Sequence, residues 1–423
     1  MSTYLARLET WRPETWTDLD EGVRTAIRQG TLRPPADPRD RAAPGRPAGL
    51  RSLFPGALPE RELVHALCSP DGRIREAALT HAADRPALLP LVAIRAADWV
   101  APVRERARAV LAAALPSADA ATLTATAPVI LRIRGRLRAA EGAALLEEWL
   151  RTATRDALAT LFTHRDRTTR RLALRIGVER CLFTPRELAQ MASVDPDPAV
   201  QDTAADAAAA ADAPEETLGP LLAARTGRVR AAGVTALRRA GRHAEAEPYL
   251  YDRSGTVRAC ARWVLRQDGV DPLALYRAAC ADPATMPDRA PLGMAECGER
   301  AVDLPVLWAL TGHPRPLARS SAVAGLRAFE VTDFPRLLAL LDDPAPGVVR
   351  EAARTLAPWA DRLPEHELLG RTGPGRLPHV RIRALRLLRD HGSWAYEETV
   401  RRLSGDADPV VRYQARRALG PRG

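Results

Sequence analysis

The chain has 423 residues, of which 27% are charged and 4% aromatic, and its formal net charge is +10. All of its 62 Lys and Arg residues are arginines, since lysine is absent, as is asparagine. Without lysine no phosphate-binding P-loop can form, and no apolar run reaches the roughly 20 residues that span a bilayer, so P-loop nucleotide hydrolysis and a membrane-spanning helix are excluded.

The first 30 residues, 1–30, predict an amphipathic helix that caps the rest of the chain. Between Thr15 and Gly30 the apolar residues fall at helical spacing, and they are Trp16, Leu19, Val23 and Ile27. Such a stripe can cover the open end of a repeat stack, and it can equally dock on a partner. Residues 31–50 are rich in proline and glycine, which do not support a helix, so we predict a linker there.

The rest of the chain, residues 51–423, carries a recurring phrase. Arg350, Arg381 and Arg412 are each 31 residues apart. Earlier copies are centred on Arg75, Arg104, Arg170, Gln201, Arg230, Arg258 and Arg319. Two double-length intervals predict degenerate repeats near residues 135 and 289. A fixed period of this length is typical of a solenoid of stacked repeats.

Each copy has the pattern of a helix, a short turn and a second helix. A small residue lies three positions after the arginine, as Ala415 does after Arg412, which lets neighbouring helices approach closely. Six positions before the arginine most copies have an acid, a hydroxyl or an imidazole that suits a turn, Asp406 in the last copy. Asp408 and Pro409 then suit the N-cap and the first helical position.

The phrase Asp-x-Asp-Pro-x-Val-Arg-x-x-Ala resembles the short variety of the HEAT-repeat family, and residues 195–200 and 406–415 match it best. The resemblance covers about residues 60–420. It implies an all-α fold, an α-solenoid coiled as a right-handed superhelix of about twelve HEAT-like helix-turn-helix repeats. It also implies a ladder of hydrogen bonds between the aspartate of one repeat and the arginine of a neighbour. Asp98 with Arg104 fits this ladder, as do Asp252 with Arg258 and Asp406 with Arg412, whereas Gln201, Ala224 and Gly375 depart from it.

The densest basic stretches form the candidate partner-binding surface of the sequence. They are Arg132, Arg134, Arg136, Arg138, Arg165, Arg167, Arg170, Arg171 and Arg175. A continuous basic lining would suit a phosphate backbone, whereas arginines interleaved with Glu141, Glu147 and Glu148 favour a protein partner or an ordinary solvated face. The absence of lysine points to a GC-rich genome, which makes each arginine less informative.

The sequence predicts a non-catalytic scaffold that binds a macromolecular partner, most of all a protein. The alternative is a DNA-binding repair protein that resembles the HEAT-like alkylpurine DNA glycosylases in repeat class and charge. No acid with flanking tryptophans aligns with the catalytic site of that family. Five tryptophans suit either packing or stacking on a ligand, and they are Trp99, Trp149, Trp263, Trp308 and Trp359.

No other chemistry is indicated by the sequence. The five cysteines include no Cys-x-x-Cys pair, and the eight histidines lack the spacing of metal ligands. No serine lies in a nucleophile-elbow sequence. We therefore predict no catalytic residue, cofactor, metal or small-molecule substrate. With no signal peptide and no membrane association predicted, we expect a cytoplasmic protein.

Overall fold

The computed structural model describes residues 12–35 and 59–419, and every regular element within them is a helix. The predicted all-α solenoid fold is confirmed, because the described elements are short helices with short connections, and successive helices pack on one another in pairs. None of the helices in these two segments is long and apolar enough to cross a membrane. The predictions for residues 1–11 and for most of the 31–50 linker lie outside the described residues.

The chain forms two compact units, Met1–Leu221 and Leu222–Gly423. The helices of the first unit are α1 Pro13–Arg28, α2 Glu60–Leu67, α3 Gly72–Ala82, α4 Leu89–Arg95, α5 Ala101–Ala114, α6 Ala120–Ile133, α7 Ala140–Leu150, α8 Arg155–Phe162, α9 Arg167–Glu179, α10 Pro185–Val194 and α11 Pro198–Ala210, and α12 Pro214–Leu222 ends at the boundary. Short 3₁₀ helices lie at Pro86–Leu88 and Leu115–Ser117.

The helices of the second unit are α13 Gly227–Arg239, α14 Gly255–Gln267, α15 Pro272–Ala281, α16 Ala290–Ala295, α17 Arg300–Leu310, α18 Pro316–Ala328, α19 Phe334–Ala339, α20 Pro346–Leu356, α21 Glu365–Gly370, α22 Pro378–His391, α23 Tyr396–Leu403 and α24 Pro409–Ala418. Its 3₁₀ helices lie at His243–Tyr251, Leu340–Asp342 and Ala357–Arg362. Within residues 59–419, five successive helix pairs lie in the first unit from α2 to α11, and six lie in the second unit from the 3₁₀ helix at His243–Tyr251 to α24. Helices α12 and α13 follow one another in the chain at the boundary, which agrees with the predicted number of about twelve repeats.

Small side chains allow the second helices of the pairs to pack closely. We call the position of the recurring arginine the ladder position. The residue three positions after it is completely buried in most repeats, as in Ala78, Ala107, Ala173, Ala204, Ala261, Ala322 and Ala415. Leucines one turn further on, such as Leu111, Leu237 and Leu326, are also completely buried and fill the core. A larger side chain at the small position would push neighbouring helices apart.

A ladder of arginine and aspartate side chains links successive repeats. The guanidinium of Arg75 donates to both carboxylate oxygens of Asp98 in the next repeat, from Nε at 2.9 Å and from Nη2 at 2.8 Å. Its Nη1 donates to the carbonyl oxygen of Ser69, six residues earlier, at 2.8 Å. Neither side chain of the pair is exposed. One guanidinium therefore closes the turn of its own repeat and holds the turn of the following one.

The structure corrects which arginine each turn aspartate pairs with. The carboxylate of Asp98 pairs with Arg75, whereas Arg104 donates from Nη1 to the backbone oxygen of Asp98 at 2.9 Å. The oxygen Oδ1 of Asp98 also accepts the backbone N–H of Val100 at 3.0 Å, which fixes the turn before α5. The same carboxylate pairing recurs between Arg170 and Asp195, Arg230 and Asp252, Arg319 and Asp343, and Arg381 and Asp406.

Within the described repeats, a turn aspartate occurs only after a repeat that supplies a ladder arginine. His164 and His313 replace it after α7 and α16, two helices that contain no arginine. The Nδ1 atom of each imidazole accepts the same turn N–H, from Asp166 at 2.9 Å and from Arg315 at 3.0 Å. Burial lowers the pKa of His164, which favours the neutral ring. Imidazole therefore makes the turn without leaving a buried carboxylate unpaired.

Two further interruptions of the ladder follow the same rule. Gln201 takes the ladder position in α11, and its Nε2 donates to the carbonyl oxygen of Asp195 at 2.7 Å, so the hydrogen bond is kept and the charge is lost. The next repeat has Ala224 at the turn position. In the repeat after Arg258, Glu296 supplies the carboxylate in place of a turn aspartate. The departures that the sequence showed are therefore neutral or compensated positions.

The copy around Arg350 is shifted by one residue from its position in the sequence pattern. The turn aspartate of this repeat is Asp343, and the sixth residue after it is Val349. Val349 and Ala352 are completely buried, whereas the side chain of Arg350 is 49% exposed. Val349 therefore occupies the ladder position and Arg350 lies outside the ladder. Gly375 in the next repeat replaces the aspartate that would have had no partner.

Helix α1 is tied to the ladder by buried charges. Trp16 is 1% exposed, and α1 packs on α4 and α6. Asp20 accepts from Arg24 at 3.1 Å and from Arg95, and Arg95 donates in turn to Asp98 at 3.3 Å. Because removing one member would leave a buried charge unpaired, this network fixes α1 against the first repeats.

We predict that Asp98→Asn destabilises the first unit by about 3 kcal/mol, because Arg75 loses its buried counter-charge. The midpoint of urea unfolding would measure the loss. Glu76→Gln is the control, since the contact of Glu76 with Arg106 is exposed and 3.9 Å long, and it should cost less than about 0.5 kcal/mol. Equal losses in the two variants would contradict the ladder as the stabilising element.

The ladder also predicts a loss of stability in acid. Hydrogen bonds from Arg381 hold the pKa of Asp406 below its ordinary value. At Asp252 burial opposes the shift, but the hydrogen bonds from Arg230 and from the backbone of Ser254, with the nearby arginine charges, together lower the pKa. A lowered folded-state pKa gives stability that is present above the ordinary pKa and is lost as the pH falls through the lower one. We expect urea midpoints to fall below about pH 4, and less steeply in Asp406→Asn. An unchanged pH profile in that variant would refute the assignment.

Candidate partner-binding surface

Ion pairs with acidic residues neutralise part of the predicted basic surface. Arg170 belongs to the ladder with Asp195. Arg171 pairs with Asp197 at 2.7 Å, and Arg175 pairs with Glu147 and with a second glutamate, Glu179, at 3.0 and 3.1 Å. Arg132 lies 3.5 Å from Glu14 of α1. The guanidiniums on α9 are therefore interleaved with acids, the arrangement that disfavours a continuous phosphate track.

The remaining members of that surface lie in turns or at a helix start. Arg134, Arg136 and Arg138 lie between α6 and α7, where Arg138 has a positive φ of 73° and its carbonyl oxygen accepts from Arg108 at 2.9 Å. Arg165 lies in the turn before α9 and Arg167 at its start; both are exposed. Glu141 is taken by Arg108. The role of these arginines in binding stays a prediction.

All five tryptophans that the sequence singled out have arginine or apolar partners. Arg24 and Arg75 lie over the ring of Trp99, at 4.8 and 4.3 Å from its centroid, so this half-exposed ring covers the buried charges below it. Trp149 packs against the core of the first unit. The rings of Trp263, Trp308 and Trp359 lie under Arg238, Arg336 and Arg362 respectively. These contacts give the rings structural roles.

A second basic surface, which the sequence reasoning missed, lies on α20, α22 and α24. We call it the arginine face, and its residues are Arg350, Arg354, Arg383, Arg386 and Arg417. Arg354, Arg386 and Arg417 each follow the ladder position of their helix by five residues. Because α20 packs on α22 and α22 packs on α24, equivalent positions are adjacent in the stack.

A groove of about 410 Å³ lies beside α22 and α24. Arg386, Arg389 and Arg417 supply its charged lining, and Ile382, Leu385 and Tyr396 supply its apolar lining. Arg386 donates to the side-chain oxygen of Gln414 at 3.2 Å, and Arg389 is neutralised by Asp390 at 2.9 Å. Arg386 and Arg417 have no carboxylate partner among the described residues. The groove can therefore receive both an apolar side chain and an anionic group.

Arg383 is half-buried and, within the described part of the chain, makes no hydrogen bond or ion pair. Burial lowers the pKa of its guanidinium, and the nearby charges of Arg386, Arg350 and Arg354 lower it further, while the charge of Glu351 raises it. By contrast, Arg381, two residues earlier on α22, pairs with Asp406. The fold itself therefore gives Arg383 a poor electrostatic environment.

The described residues bring no group of three or more potential metal-ligating His, Cys, Asp or Glu side chains together. The five cysteines, all in described segments, are unpaired. Burial raises the pKa of the Cys280 thiol to about 12, so it stays protonated at neutral pH.

Comparisons with known proteins give fold likenesses only. No protein-family model matches the chain, and no curated protein matches it. Kap121p bound to RanGTP has 14% identity and a TM-score of 0.30; the match covers 85% of this chain and 48% of that one, so the chain spans about half the length of Kap121p. The YIBA_ECOLI protein has 14% identity and a TM-score of 0.23, and the match covers 65% of this chain and 96% of that one. An engineered protein has 16% identity and a TM-score of 0.21, and the match covers 98% of this chain and 96% of that one. With scores this low, the HEAT-like fold rests on this chain's own helix pairs and ladder.

We predict that Arg383→Gln leaves the stability of the second unit within about 0.5 kcal/mol of the parent, or raises it, because a half-buried like charge is removed. Arg381→Gln, on the same helix, should cost about 3 kcal/mol, since it leaves Asp406 unpaired. Urea unfolding of the two variants measures the difference. A large loss in Arg383→Gln would show that this arginine has a structural role.

Proposed function

We propose that this chain is a non-catalytic helical-repeat scaffold that binds an acidic segment of a protein partner on the arginine face. The observation that supports this most is the column formed by Arg354, Arg386 and Arg417, in which the last two have no carboxylate partner among the described residues. Elsewhere in the second unit, buried guanidiniums are paired across repeats. A face that keeps its positive charge is suited to an acidic ligand.

The spacing of the column suggests the form of the segment. Packed helices lie about 8–10 Å apart, so guanidiniums at equivalent positions recur at roughly that interval. A polyproline II segment rises about 3.1 Å per residue with three residues per turn, which puts every third side chain on one side at about 9 Å. An extended segment with an acid at every third residue therefore matches the column.

Two features favour a polypeptide over a nucleic-acid duplex. The groove next to the column has an apolar lining that includes Ile382, Leu385 and Tyr396, which suits side chains of a peptide. The acids Glu351 and Asp390 interrupt the row of arginines, so the face lacks the continuous positive track that a phosphate backbone follows. The predicted surface from Arg132 to Arg175 is more extensively interleaved with acids. The DNA-repair alternative therefore becomes an outcome of the test.

Fluorescence anisotropy tests the proposal with a labelled peptide of four Glu-Pro-Ala units and a labelled DNA duplex, across about 50–300 mM salt. We expect the peptide to bind, with weakening as salt rises. Arg386→Glu should lower its affinity at least about tenfold, or roughly 1.4 kcal/mol. Arg134→Glu is the matched control, since Arg134 is exposed and distant in sequence, and it should change the affinity less than about twofold.

A peptide of the same composition with its glutamates in one block should bind more weakly, because fewer acids reach the column at once. Failure of the Glu-Pro-Ala peptide to bind at low salt rejects the proposed function. Tight duplex binding that Arg386→Glu abolishes supports the nucleic-acid alternative instead.

A further inference from the structure

The charge balance around Glu351 leaves the arginine face with an excess of positive charge at one point. The Glu351 carboxylate accepts from Arg327 at 2.6 Å, from Arg354 at 3.0 Å and from Arg350 at 3.4 Å. Its side chain is 10% exposed. Burial would raise the pKa of this carboxyl, but the hydrogen bonds and charges of the three arginines, Arg327 most of all, together lower it. One carboxylate is thus shared among three guanidiniums.

Arg383 lies at the repeat position equivalent to Glu351, two residues after the ladder position of its own helix. The corresponding residue of α24 is Gln414, whose side-chain oxygen is already used by Arg386. The carboxylate on one side of Arg383 is therefore shared, and the acceptor on the other side is neutral and occupied. No described side chain neutralises Arg383 or Arg386.

We propose that Arg383 and Arg386, together with Arg350 and Arg354, form a binding site for a phosphate-type dianion. The proposal rests on the proposed function in placing this group on the bound segment, as a phosphorylated serine or threonine. The two guanidiniums that lack a carboxylate carry two positive charges, which one dianion balances. Arg350 and Arg354 contribute only the part of their charge that Glu351 leaves uncompensated.

The chemistry of the groups favours phosphate over carboxylate. A phosphomonoester presents three acceptor oxygens and a charge of about −1.5 to −2 near pH 7, whereas a carboxylate presents two oxygens and one charge. Two guanidinium forks can bind one phosphate at once, each through two of its three oxygens, with one oxygen shared between the forks. A single dianion also removes the repulsion around Arg383 without ordering two acidic side chains of the partner.

The test compares the Glu-Pro-Ala peptide with a version in which one central glutamate is phosphoserine, by anisotropy at fixed salt. We expect phosphoserine to increase the affinity at least about tenfold at pH 7.5, and the increase to fade below about pH 6, where the phosphate loses its second charge. Arg383→Gln should abolish the increase, so that this variant binds the phosphoserine peptide and the glutamate peptide with equal affinity. Arg389→Gln is the matched control, because Arg389 lines the groove but is paired with Asp390.

Competition with inorganic phosphate distinguishes the two sources of the anion. Competition at millimolar phosphate that depends on Arg383, without any gain from phosphoserine, assigns the site to a free anion. Equal affinity for the two peptides, with no effect of inorganic phosphate, overturns the dianion site and leaves the proposed function standing. Absence of binding by both peptides rejects the proposed function itself, so the two failures are distinguishable.

Discussion

The structure depends on one constraint, which is that a charge buried between repeats must be paired. Arg75 and Asp98 show the solution, with one guanidinium bridging a turn of its own repeat and the carboxylate of the next. The cost of leaving such a charge unpaired is several kcal/mol, more than most single contacts contribute. This cost accounts for the neutral residues at interrupted rungs, where His164 or Gly375 replaces an aspartate that would have no arginine to face. Pairing across repeats therefore links the sequence of each turn to the helix before it.

Much of the fold could be predicted because each repeat carries its own local sequence signals for helices and turns. The turn residues, the proline at the start of helices such as α24 and the buried alanines each indicated the helix pairs. The register of one repeat was wrong, because Val349-Arg350 offers an arginine one position late and only the burial of Val349 shows which residue faces the core. The partners in the ladder could not be predicted either, because the recurring sequence pattern does not show which repeat supplies the arginine that pairs with each aspartate.

The candidate site was less predictable, because charge density along the chain does not reveal which charges are already paired. The stretch from Arg165 to Arg175 has more arginines than the arginine face has in a similar length of chain. Even so, Arg171 and Arg175 pair with acids from neighbouring repeats. A usable signal existed in the common offset of Arg354, Arg386 and Arg417 from their ladder positions. The offset of Arg354 matches the other two only when Val349, rather than Arg350, is placed at the ladder position. Arg383 could not be singled out at all, since its distinction is the absence of a partner among the described residues.

We propose that the ladder uses most buried arginines for stability and that the arginine face keeps its charge for an acidic partner. A charge-swap experiment tests this most directly, pairing Arg386→Glu with a peptide in which the glutamates of the Glu-Pro-Ala units are replaced by arginine. We predict that this variant no longer binds the acidic peptide and binds the basic one instead, while its urea unfolding midpoint is unchanged. Unaltered binding of the acidic peptide to Arg386→Glu would contradict the claim.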